Sequence, residues 1–314
     1  MQKILVTGIA GFIGSRLAAY LIDAGHSVTG IDNLKTGFSS NVPKGALFVK
    51  GDCAIQSTYE DASLANSNFD VIIHLAGQSS GEISFDDLVQ DLNDNCVSTL
   101  RLLEYARKSS CRKFIFASSM SVYGEVGDEP VNEASPCKPL SMYAVGKLAS
   151  EAYLRLFERY GISSVSLRLF NVYGPGQNMT NLRQGMASIY ISQALVNSHI
   201  EVKGSPERYR DLIYIDDVIW AIDHFLLKTF SGSSIVNLCT GVKTKVSQLV
   251  ETITKKLEND QIRVSYLEGT PGDQFGIVGD NKKLLLDVGE KKFTSVEDGI
   301  QRFLDYLRDK SFGS

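Results

Sequence analysis

The first 170 residues alternate short apolar runs with longer amphipathic segments, and this alternation limits the possible folds more than any other feature of the sequence. The apolar runs are rich in β-branched and aromatic residues, which favour strands. The segments between them repeat apolar residues at helical spacing. Together they are typical of βαβ units, so the sequence predicts an α/β fold with a Rossmann-type doubly wound parallel sheet. The predicted strands are 4–6, 28–31, 47–49, 71–75, 114–116 and 165–169, and the predicted helices include 16–24, 96–108 and 144–160.

The texture of the sequence changes after Asn171, where Gly174-Pro175-Gly176 and a polar stretch interrupt the alternation. Such a stretch predicts the start of a smaller lobe. The strand-like run 212–215 is followed by an apolar helical segment, which indicates that the chain returns to the first domain. The predicted domains are therefore 1–170 with a returning segment at 206–242, and a smaller C-terminal lobe formed by 171–205 and 243–314.

The charge and composition of the chain exclude several classes of protein. The formal net charge is -4, from 32 basic and 36 acidic residues without a basic run, so the footprint of a nucleic-acid binder is missing. No apolar stretch reaches the ~18 residues of a membrane span. The N-terminus runs into a strand without a leader-like segment, so we expect a cytoplasmic protein that does not bind membranes. No C-x-x-C pair indicates a metal site or a disulfide framework, and reduced thiols are expected at Cys53, Cys96, Cys111, Cys137 and Cys239.

A glycine-rich turn joins the first predicted strand to the first predicted helix. Gly8, Gly11 and Gly14 frame this turn, which also contains Phe12 and Ile13. Glycine permits a tight turn and a close backbone approach, while the helix N-terminus presents amide groups and a positive dipole end to a pyrophosphate. The motif therefore predicts a dinucleotide site that needs no basic residue. In isolation it would also fit a strand-to-helix turn without a ligand.

Asp32 ends the second predicted strand, 18 residues beyond Gly14. A carboxylate at this position can accept hydrogen bonds from the adenosine ribose and repels a 2′-phosphate, so NAD is favoured over NADP. Lys35 lies close enough to leave that preference open. Other candidate cofactor contacts lie where predicted strands end, at the same edge of the sheet, namely Asn33, Asp52, Cys53, Leu75, Ala76 and Gly77.

Tyr143 and Lys147 stand four residues apart in a predicted helix and therefore share one face. An enzyme that transfers hydride from an alcohol needs a base for the hydroxyl proton, and the unperturbed phenol pKa of about 10 is too high for this role. A nearby ammonium and a positively charged nicotinamide both favour the phenolate. The pair predicts an acid–base centre, although the same spacing is common on solvated helix faces.

Serines end the buried-type strand that precedes this helix. Ser118, Ser119 and Ser121 lie at the carboxyl edge of the predicted sheet. Their hydroxyls could hydrogen-bond a substrate oxygen and relay its proton, or could simply cap the end of the strand.

The combination of these motifs resembles the extended short-chain dehydrogenase/reductases, in particular the NAD-dependent epimerase/dehydratase family that includes UDP-glucose 4-epimerase. The resemblance extends over essentially the whole chain. It rests on 8–14, 32–34, 51–52, 74–77, Asn95, 118–119 with 122–124, the motif Pro139-x-Ser141-x-Tyr143-x-x-x-Lys147, 168–175 and 210–218.

The resemblance implies an isomerase that epimerises a nucleotide-activated sugar at C4 through a transient 4-keto intermediate, in carbohydrate metabolism or polysaccharide biosynthesis. Tyr143 would be the base, Lys147 would bind the nicotinamide ribose and lower the phenol pKa, and Ser119 would hold the sugar hydroxyl. Asn95 would bind cofactor and stabilise the site beside them. The expected partners are a UDP-linked sugar and a second copy of the chain in a homodimer. The implied substrate-binding residues are Ser119, Ser121, Tyr143, Asn171, Asn181, Leu182, Arg210 and Asp273.

Two departures from the family pattern bear on the reaction and on the substrate. Met120 and Ser121 occupy the places where 4,6-dehydratases of the family usually carry an acidic residue, which favours epimerisation over elimination. Thr270 stands where relatives often have an arginine that binds phosphate. Arg210 would therefore bind the diphosphate together with another basic residue, such as Arg208 or Lys203.

Two alternatives remain open at the level of the sequence. A nucleotide-sugar dehydratase or decarboxylase is the alternative within the family. A non-catalytic NAD-binding regulatory protein is the alternative of another class, because a fold by itself does not establish chemistry.

Overall fold

The strands and helices of the protein were located in a computed structural model, which describes residues 1–65, 67–269 and 275–312. The strands are β1 (Lys3–Thr7), β2 (Ser27–Asp32), β3 (Leu47–Lys50), β4 (Val71–His74), β5 (Lys113–Ser119), β6 (Ser163–Leu169), β7 (Asn171–Tyr173), β8 (His199–Lys203), β9 (Tyr209–Arg210), β10 (Leu212–Tyr214), β11 (Ser233–Leu238), β12 (Thr244–Lys245), β13 (Arg263–Leu267) and β14 (Gly276–Ile277). The α-helices are α1 (Phe12–Asp23), α2 (Ala62–Ala65), α3 (Leu88–Leu92), α4 (Ser98–Lys108), α5 (Met142–Phe157), α6 (Met186–Asn197), α7 (Ile215–Leu227), α8 (Val246–Leu257), α9 (Lys282–Val288) and α10 (Val296–Phe312). A π-helical turn, Asn93–Val97, joins α3 to α4.

The central sheet has seven strands in the order β11-β6-β5-β4-β1-β2-β3. The pairs β1–β2, β2–β3, β1–β4 and β4–β5 are parallel. The strand order reverses between β1 and β4, because β1, β2 and β3 follow one another toward one edge of the sheet and β4, β5 and β6 toward the other. The carboxyl ends of strands at such a switch point form the crevice where doubly wound sheets bind ligands. The predicted Rossmann-type fold class is confirmed.

The strands of this sheet form because apolar runs are buried on both of its faces. Ile4, Leu5 and Val6 of β1 are fully buried, and all four residues of β4 are buried. Helices on both faces of a parallel sheet cover it completely, so its strands are continuously apolar rather than alternating. One core cluster joins these strands to α4 and α5, and it includes Leu5, Ile72, Leu102, Phe114, Phe116 and Leu154.

Helix α5 carries the predicted acid–base pair and begins at a hydrogen-bonded cap. Ser141 is the N-cap residue, and its hydroxyl accepts a hydrogen bond from the backbone N–H of Ala144 at 3.2 Å. Serine at this position stabilises the first turn. The helix therefore starts two residues before the predicted limit, and its buried face includes both Tyr143 and Lys147.

The chain divides into two compact units. Unit 1 consists of Met1–Val122, Pro139–Arg168 and Ile219–Val236, and unit 2 consists of Tyr123–Lys138, Leu169–Val218 and Asn237–Ser314. Strands β1 to β5 lie in unit 1, whereas unit 2 contains the parallel pairs β7–β10 and β8–β13 and a small sheet in which β9 lies between β12 and β14.

Two segments are placed differently in these units and in the predicted domains. Segment 123–138 belongs to unit 2, because the backbone of Val131 pairs with Val278 and Asp280 of the same unit at 2.9 and 2.8 Å. The return to unit 1 is confined to Ile219–Val236. Among the helices in the described part of the chain, none has both the length and the apolar character needed to cross a membrane.

Candidate active site

The glycine turn between β1 and α1 is so tight that side chains are sterically excluded. Gly8 has a φ of 73°, and a Cβ atom added to it would lie 2.8 Å from the backbone nitrogen of Ala76. A Cβ atom on Gly14 would overlap the carbonyl oxygen of Gly8. The backbone N–H of Gly11 donates to that same oxygen at 3.0 Å and closes the turn. The glycines are therefore required by the close approach of backbone segments.

The first turn of α1 follows this glycine turn directly and has free backbone N–H groups. Gly11 is the N-cap residue in extended conformation, and no side chain caps the helix. Phe12 and Ile13 are the first helical residues, and the N–H groups of a first turn have no partner within the helix. This arrangement fits the predicted pyrophosphate site, since such donors and the helix dipole favour an anion.

Asp32 supports the glycine turn as well as ending β2. Its buried carboxylate accepts hydrogen bonds from the backbone N–H of Ala10 at 3.0 Å and of Leu34 at 2.8 Å. Leu34 has a positive φ of 60°, an uncommon conformation that this hydrogen bond stabilises. Each carboxylate oxygen has a second lone pair, so Asp32 can still accept hydrogen bonds from ribose hydroxyls.

The neighbouring polar residues at this edge are connected to one another. The Asn33 amide donates to the Asp52 carboxylate at 3.1 Å, and Cys53 is buried behind it. The Lys35 ammonium forms an ion pair with Asp94 at 3.2 Å. The positive charge of Lys35, which left the preference for NAD over NADP open, is therefore paired with a carboxylate of the protein.

The segment after β4 brings backbone close to a buried amide. A Cβ atom on Gly77 would lie 2.6 Å from Oδ1 of Asn95. Asn95 is only 1% exposed, and its Oδ1 has no hydrogen-bond partner. Buried acceptors without a partner are rare and costly in folded proteins. The Asn95 oxygen without a partner, beside the backbone of Gly77, fits a site for the NAD cofactor that the fold implies. With Gly77, the predicted residues Leu75 and Ala76 complete the segment after β4.

The three predicted catalytic side chains converge in unit 1. Ser119 is the last residue of β5, and the Tyr143 phenol forms a hydrogen bond with it. The Lys147 ammonium lies 5.7 Å from the centre of the Tyr143 ring and 4.8 Å from that of Phe116, and Lys147 is 4% exposed. Ser121 lies on the following 3-10 turn, with its hydroxyl 3.1 Å from that of Ser119.

Burial dominates the electrostatics of this cluster. It raises the pKa of Tyr143 to about 12, while the hydrogen bond with Ser119 lowers that pKa and the Asp91 carboxylate raises it. Burial also lowers the pKa of Lys147 to about 8, and the Asp91 charge opposes this effect. The predicted lowering of the phenol pKa is therefore not achieved by the side chains of the chain itself and would have to come from the charge of bound NAD⁺.

Unit 2 carries the buried basic residue predicted to bind the nucleotide. The Arg210 guanidinium donates to the carbonyl oxygen of Tyr209 at 2.8 Å, and burial followed by the charge of Arg208 lowers its pKa to about 10. Asn171 begins β7 and donates to the carbonyl oxygen of Asp211 at 3.2 Å. The structure therefore places Asn171 beside Asp211, the residue that follows Arg210.

The remaining predicted substrate residues are not gathered in this way. Asn181 and Leu182 lie in the segment between β7 and α6, where Leu182 is exposed and Asn181 accepts a hydrogen bond from the backbone N–H of Arg183 at 3.0 Å. Asp273 and Thr270 lie outside the described residues. Within those residues, no cluster of His, Cys, Asp and Glu is suited to hold a metal ion.

Comparison with known proteins identifies the family. The model of the NAD dependent epimerase/dehydratase family matches residues 4–239. The chain belongs to this family. A UDP-glucose 4-epimerase from Thermotoga maritima, solved with UDP-glucose, is 32% identical with a TM-score of 0.93, covering 98% of this chain and 99% of that one. The UDP-glucose 4-epimerase of Thermus thermophilus in complex with NAD is 32% identical with a TM-score of 0.89 over the same shares.

A third solved relative widens the range of substrates within the family. The UDP-N-acetylglucosamine 4-epimerase of Methanobrevibacter ruminantium, in complex with UDP-N-acetylmuramic acid, is 30% identical with a TM-score of 0.89, covering 98% of this chain and 99% of that one. Together these relatives confirm the predicted resemblance to UDP-glucose 4-epimerase, the NAD-dependent epimerase type of enzyme and NAD as its cofactor.

Sequence reasoning missed a carboxylate within this epimerase-family site. Asp91 is 3% exposed, and its Oδ1 accepts hydrogen bonds from Asn95 Nδ2 at 3.2 Å and Gln78 Nε2 at 3.1 Å. The available signal was the spacing Asp91-x-x-x-Asn95, which places two polar residues on one helical face.

A buried ion pair beside the predicted catalytic residues was also missed. Arg168 donates through Nε and Nη2 to the two carboxylate oxygens of Glu151 at 2.9 and 2.7 Å, and the Ser118 hydroxyl donates to Glu151 at 2.5 Å. Glu151 lies one turn beyond Lys147 on α5. The ion pair therefore fastens the catalytic helix to β5 and β6.

Proposed function

We propose that the protein epimerises a UDP-linked hexose at C4, using NAD bound at the carboxyl edge of the unit 1 sheet. The observation that carries this proposal is the convergence of Ser119, Tyr143 and Lys147 beside the orphaned acceptor of Asn95. The chain that contains this cluster aligns over 98% of its length with 4-epimerases of UDP-sugars.

The proposed roles follow from the protonation chemistry of each group. The Tyr143 phenolate removes the proton of the C4 hydroxyl, and the resulting phenol returns it after the 4-keto sugar has presented its other face. Ser119 hydrogen-bonds the same sugar oxygen and the phenol. Lys147, as an ammonium, favours the phenolate and binds the nicotinamide ribose. Bound NAD supplies the hydride acceptor at C4 and then the donor, so no cofactor is consumed.

The turn after β5 supports epimerisation rather than dehydration. Met120 and Ser121 occupy the turn Met120–Tyr123, and neither side chain is an acid. Elimination of water needs a second acid/base pair to deprotonate the carbon and protonate the leaving hydroxyl. Ser121 instead hydrogen-bonds the Ser119 hydroxyl.

The substrate is proposed to be UDP-linked because the solved relatives contain UDP-sugars. Arg210 and Asn171 of unit 2 would contact the nucleotide diphosphate, and Asn181 and Leu182 would complete its binding. By its resemblance to the family, Ile277 of β14, which is fully buried, would lie near the position that limits the size of the C2 substituent.

The proposal is tested by product analysis with two substrate pairs. Purified protein is incubated with UDP-glucose or UDP-galactose, and separately with UDP-N-acetylglucosamine or UDP-N-acetylgalactosamine. We expect at least one pair to interconvert to the same mixture from either side, without net formation of NADH. A stable 4-keto product that absorbs in alkali would instead show a dehydratase. A protein that binds NAD but converts none of the four sugars would favour the regulatory alternative.

We further propose that the epimerase acts as a homodimer in the cytoplasm, in carbohydrate metabolism or polysaccharide biosynthesis. The five free cysteines fit a reducing compartment. By analogy with the family, the segments 96–108 and 149–160 are the candidate dimer interface, and exposed apolar side chains there include Leu156 and Tyr160. Substitution Leu156→Glu should convert the dimer to a monomer in light scattering, while an unchanged mass would place the interface elsewhere.

A further inference from the structure

Asp91 is a buried carboxyl group that the proposed mechanism does not use. It lies on α3, immediately before the π-helical turn Asn93–Val97. Its two hydrogen-bond donors come from different segments, since Gln78 follows β4 and Asn95 belongs to the π turn. The Gln78 amide also donates to the carbonyl oxygen of Ser80 at 2.7 Å. Asp91 thus connects the segment after β4 to the turn that carries Asn95.

The carboxylate determines which way the Asn95 amide faces. An ionised carboxylate only accepts hydrogen bonds, so it selects the NH₂ group of the amide and leaves the oxygen pointing away from it. That oxygen is the orphaned acceptor beside Gly77. A partner able to donate as well as accept would permit the amide to rotate, and the acceptor would then be lost from this position.

The same charge acts on the catalytic lysine. The Asp91 carboxylate raises the pKa of Lys147 and so opposes the effect of burial, which favours the neutral amine. It also raises the pKa of Tyr143, which disfavours the phenolate. The carboxylate therefore favours the ammonium form of Lys147 but disfavours the phenolate form of Tyr143. The positive charge of bound NAD⁺ would favour the phenolate and so oppose the second effect.

We propose that Asp91 is a positioning residue of the catalytic centre, whose carboxylate holds the Asn95 amide oxygen beside Gly77. The role rests on the proposed function, because that function gives Lys147 and Asn95 their task. The geometry and charge interactions that support it, however, are independent of which sugar reacts.

The ionisation of Asp91 sets the pH range in which this arrangement exists. Burial, followed by the charge of Asp94, raises the pKa of Asp91 to about 6, while its hydrogen bond with Asn95 lowers it. Among the described residues, titratable groups whose charges interact with Asp91 include Asp94 and Cys96 on the π turn and Tyr143 and Lys147 on α5. Protonated Asp91 can donate to the amide oxygen, so the orientation of Asn95 is no longer fixed below this pH.

The first experiment titrates Lys147 in cofactor-free protein. The variant Asp91→Asn keeps a hydrogen-bonding side chain of the same size but removes the charge. Lysine ¹⁵N NMR should show the pKa of Lys147 lowered by about one unit or more relative to the wild type. Calorimetry should show NAD binding weakened by about fivefold to tenfold, the value of one lost hydrogen bond. Unchanged NAD affinity in Asp91→Asn would overturn the proposal, whatever the Lys147 titration shows.

The matched control is Asp87→Ala on the same short helix. Asp87 caps α3, and its carboxylate accepts a hydrogen bond from the backbone N–H of Gln90 at 2.9 Å. Its loss should lower the melting temperature but leave the Lys147 titration and NAD affinity unchanged. If Asp87→Ala reproduced the effects of Asp91→Asn, Asp91 would have only a structural role in α3.

The kinetic readout separates this proposal from the proposed function. Wild-type kcat should fall below pH about 6 as Asp91 is protonated, whereas Asp91→Asn should have a lower kcat, a similar KM for the sugar nucleotide and a flattened acid limb. Failure of the protein to epimerise any sugar would refute the proposed function but leave the Lys147 titration interpretable. Epimerisation by Asp91→Asn with wild-type NAD affinity and an unaltered acid limb would refute the positioning role alone.

Discussion

The glycine turn and the catalytic cluster are neighbours in unit 1, but they prepare for their ligands in opposite ways. The turn is shaped by what it lacks, because a Cβ atom on Gly8 or Gly14 would collide with backbone. The catalytic cluster is shaped by charge, since Lys147 and Asp91 are buried side chains whose pKa values depend on each other. We therefore expect the turn to be disrupted by any added side-chain atom, and the cluster by removal of a charged group.

The two regions also differ in what their structure costs. A backbone turn satisfies its own polar groups, as the Gly11 N–H does with the Gly8 carbonyl oxygen. Buried charges must be compensated by partners, and removing one partner leaves the other exposed to a low-dielectric environment. Around the catalytic helix this compensation comes from the Glu151–Arg168 ion pair. We expect substitutions in the cluster to have the larger effects.

The largest expected effect tests whether the cluster can lose chemistry without losing shape. Tyr143→Phe removes the phenol oxygen, and loss of a general acid–base group lowers kcat by about 10² to 10⁴-fold. The glycine turn is untouched, so NAD affinity measured by calorimetry should stay within about twofold, a difference of under 1 kcal/mol. Tyr153→Phe, on the same helix, is the control and should retain full turnover. A loss of NAD binding in Tyr143→Phe would show that the two regions are not separable.

The next effect concerns stability and the charge behind the catalytic helix. Arg168→Met leaves the Glu151 carboxylate buried without its cation and should cost about 3 to 5 kcal/mol in the free energy of unfolding. Urea denaturation measures this loss. The double variant Arg168→Met/Glu151→Leu removes both charges and should recover much of it. A double variant as unstable as the single one would mean that packing, rather than charge, holds α5 on the sheet.

The two regions were not equally predictable from sequence. The glycine turn was predicted with its residues because sterics leave a local record: only glycine fits, and the spacing from Gly8 to Gly14 is fixed by one strand-to-helix turn. The doubly wound parallel sheet was predicted because strands and helices alternate along the first 170 residues, but the order of its strands was not predicted. Ser119, Tyr143 and Lys147 could be proposed together because their motif stands on one strand end and one helix turn.

The electrostatics of the cluster were not predictable in the same way. The pKa of Tyr143 is raised rather than lowered, because burial outweighs the neighbouring charges, and burial depends on how distant segments pack. Asp91 was missed for a similar reason. Its donors Gln78 and Asn95 are 13 positions before it and 4 after it, and only the fold shows that both reach one oxygen atom.

A smaller effect is expected from the region that is governed by shape. Gly14→Ala places a methyl group on the Gly8 carbonyl oxygen, and relief of such overpacking costs about 1 to 3 kcal/mol in unfolding free energy. NAD binding should weaken at the same time, because the backbone that closes the turn must move. Gly127→Ala is the matched control, since nothing lies within 4 Å of a Cβ atom there. Equal stability of the two variants would contradict a steric requirement for Gly14.

The smallest expected effect concerns His74, which physically links the two regions. Its Nδ1 lies 2.7 Å from the hydroxyl of Thr7, just before the glycine turn, and its Nε2 lies 3.1 Å from the hydroxyl of Thr99. Thr99 in turn donates to the carbonyl oxygen of Asn95 at 3.0 Å. With that bond in place, Thr99 can only accept from His74, so Nε2 is the donor; because the ring is neutral, Nδ1 then accepts from the Thr7 hydroxyl.

Burial, and then the charge of Lys147, lowers the pKa of His74 from 6.5 to about 3. The native state therefore binds fewer protons than the unfolded chain between these pH values, so this group makes stability fall as pH drops below 6.5. The expected loss is about 1 kcal/mol by pH 5.5, measured by urea denaturation. His74→Gln keeps a donor and an acceptor but cannot be protonated, and the difference between the two pH profiles removes the contribution of other groups such as Asp91. Parallel profiles would mean that His74 can accept a proton in place, and the neutral link between turn and cluster would then be dispensable.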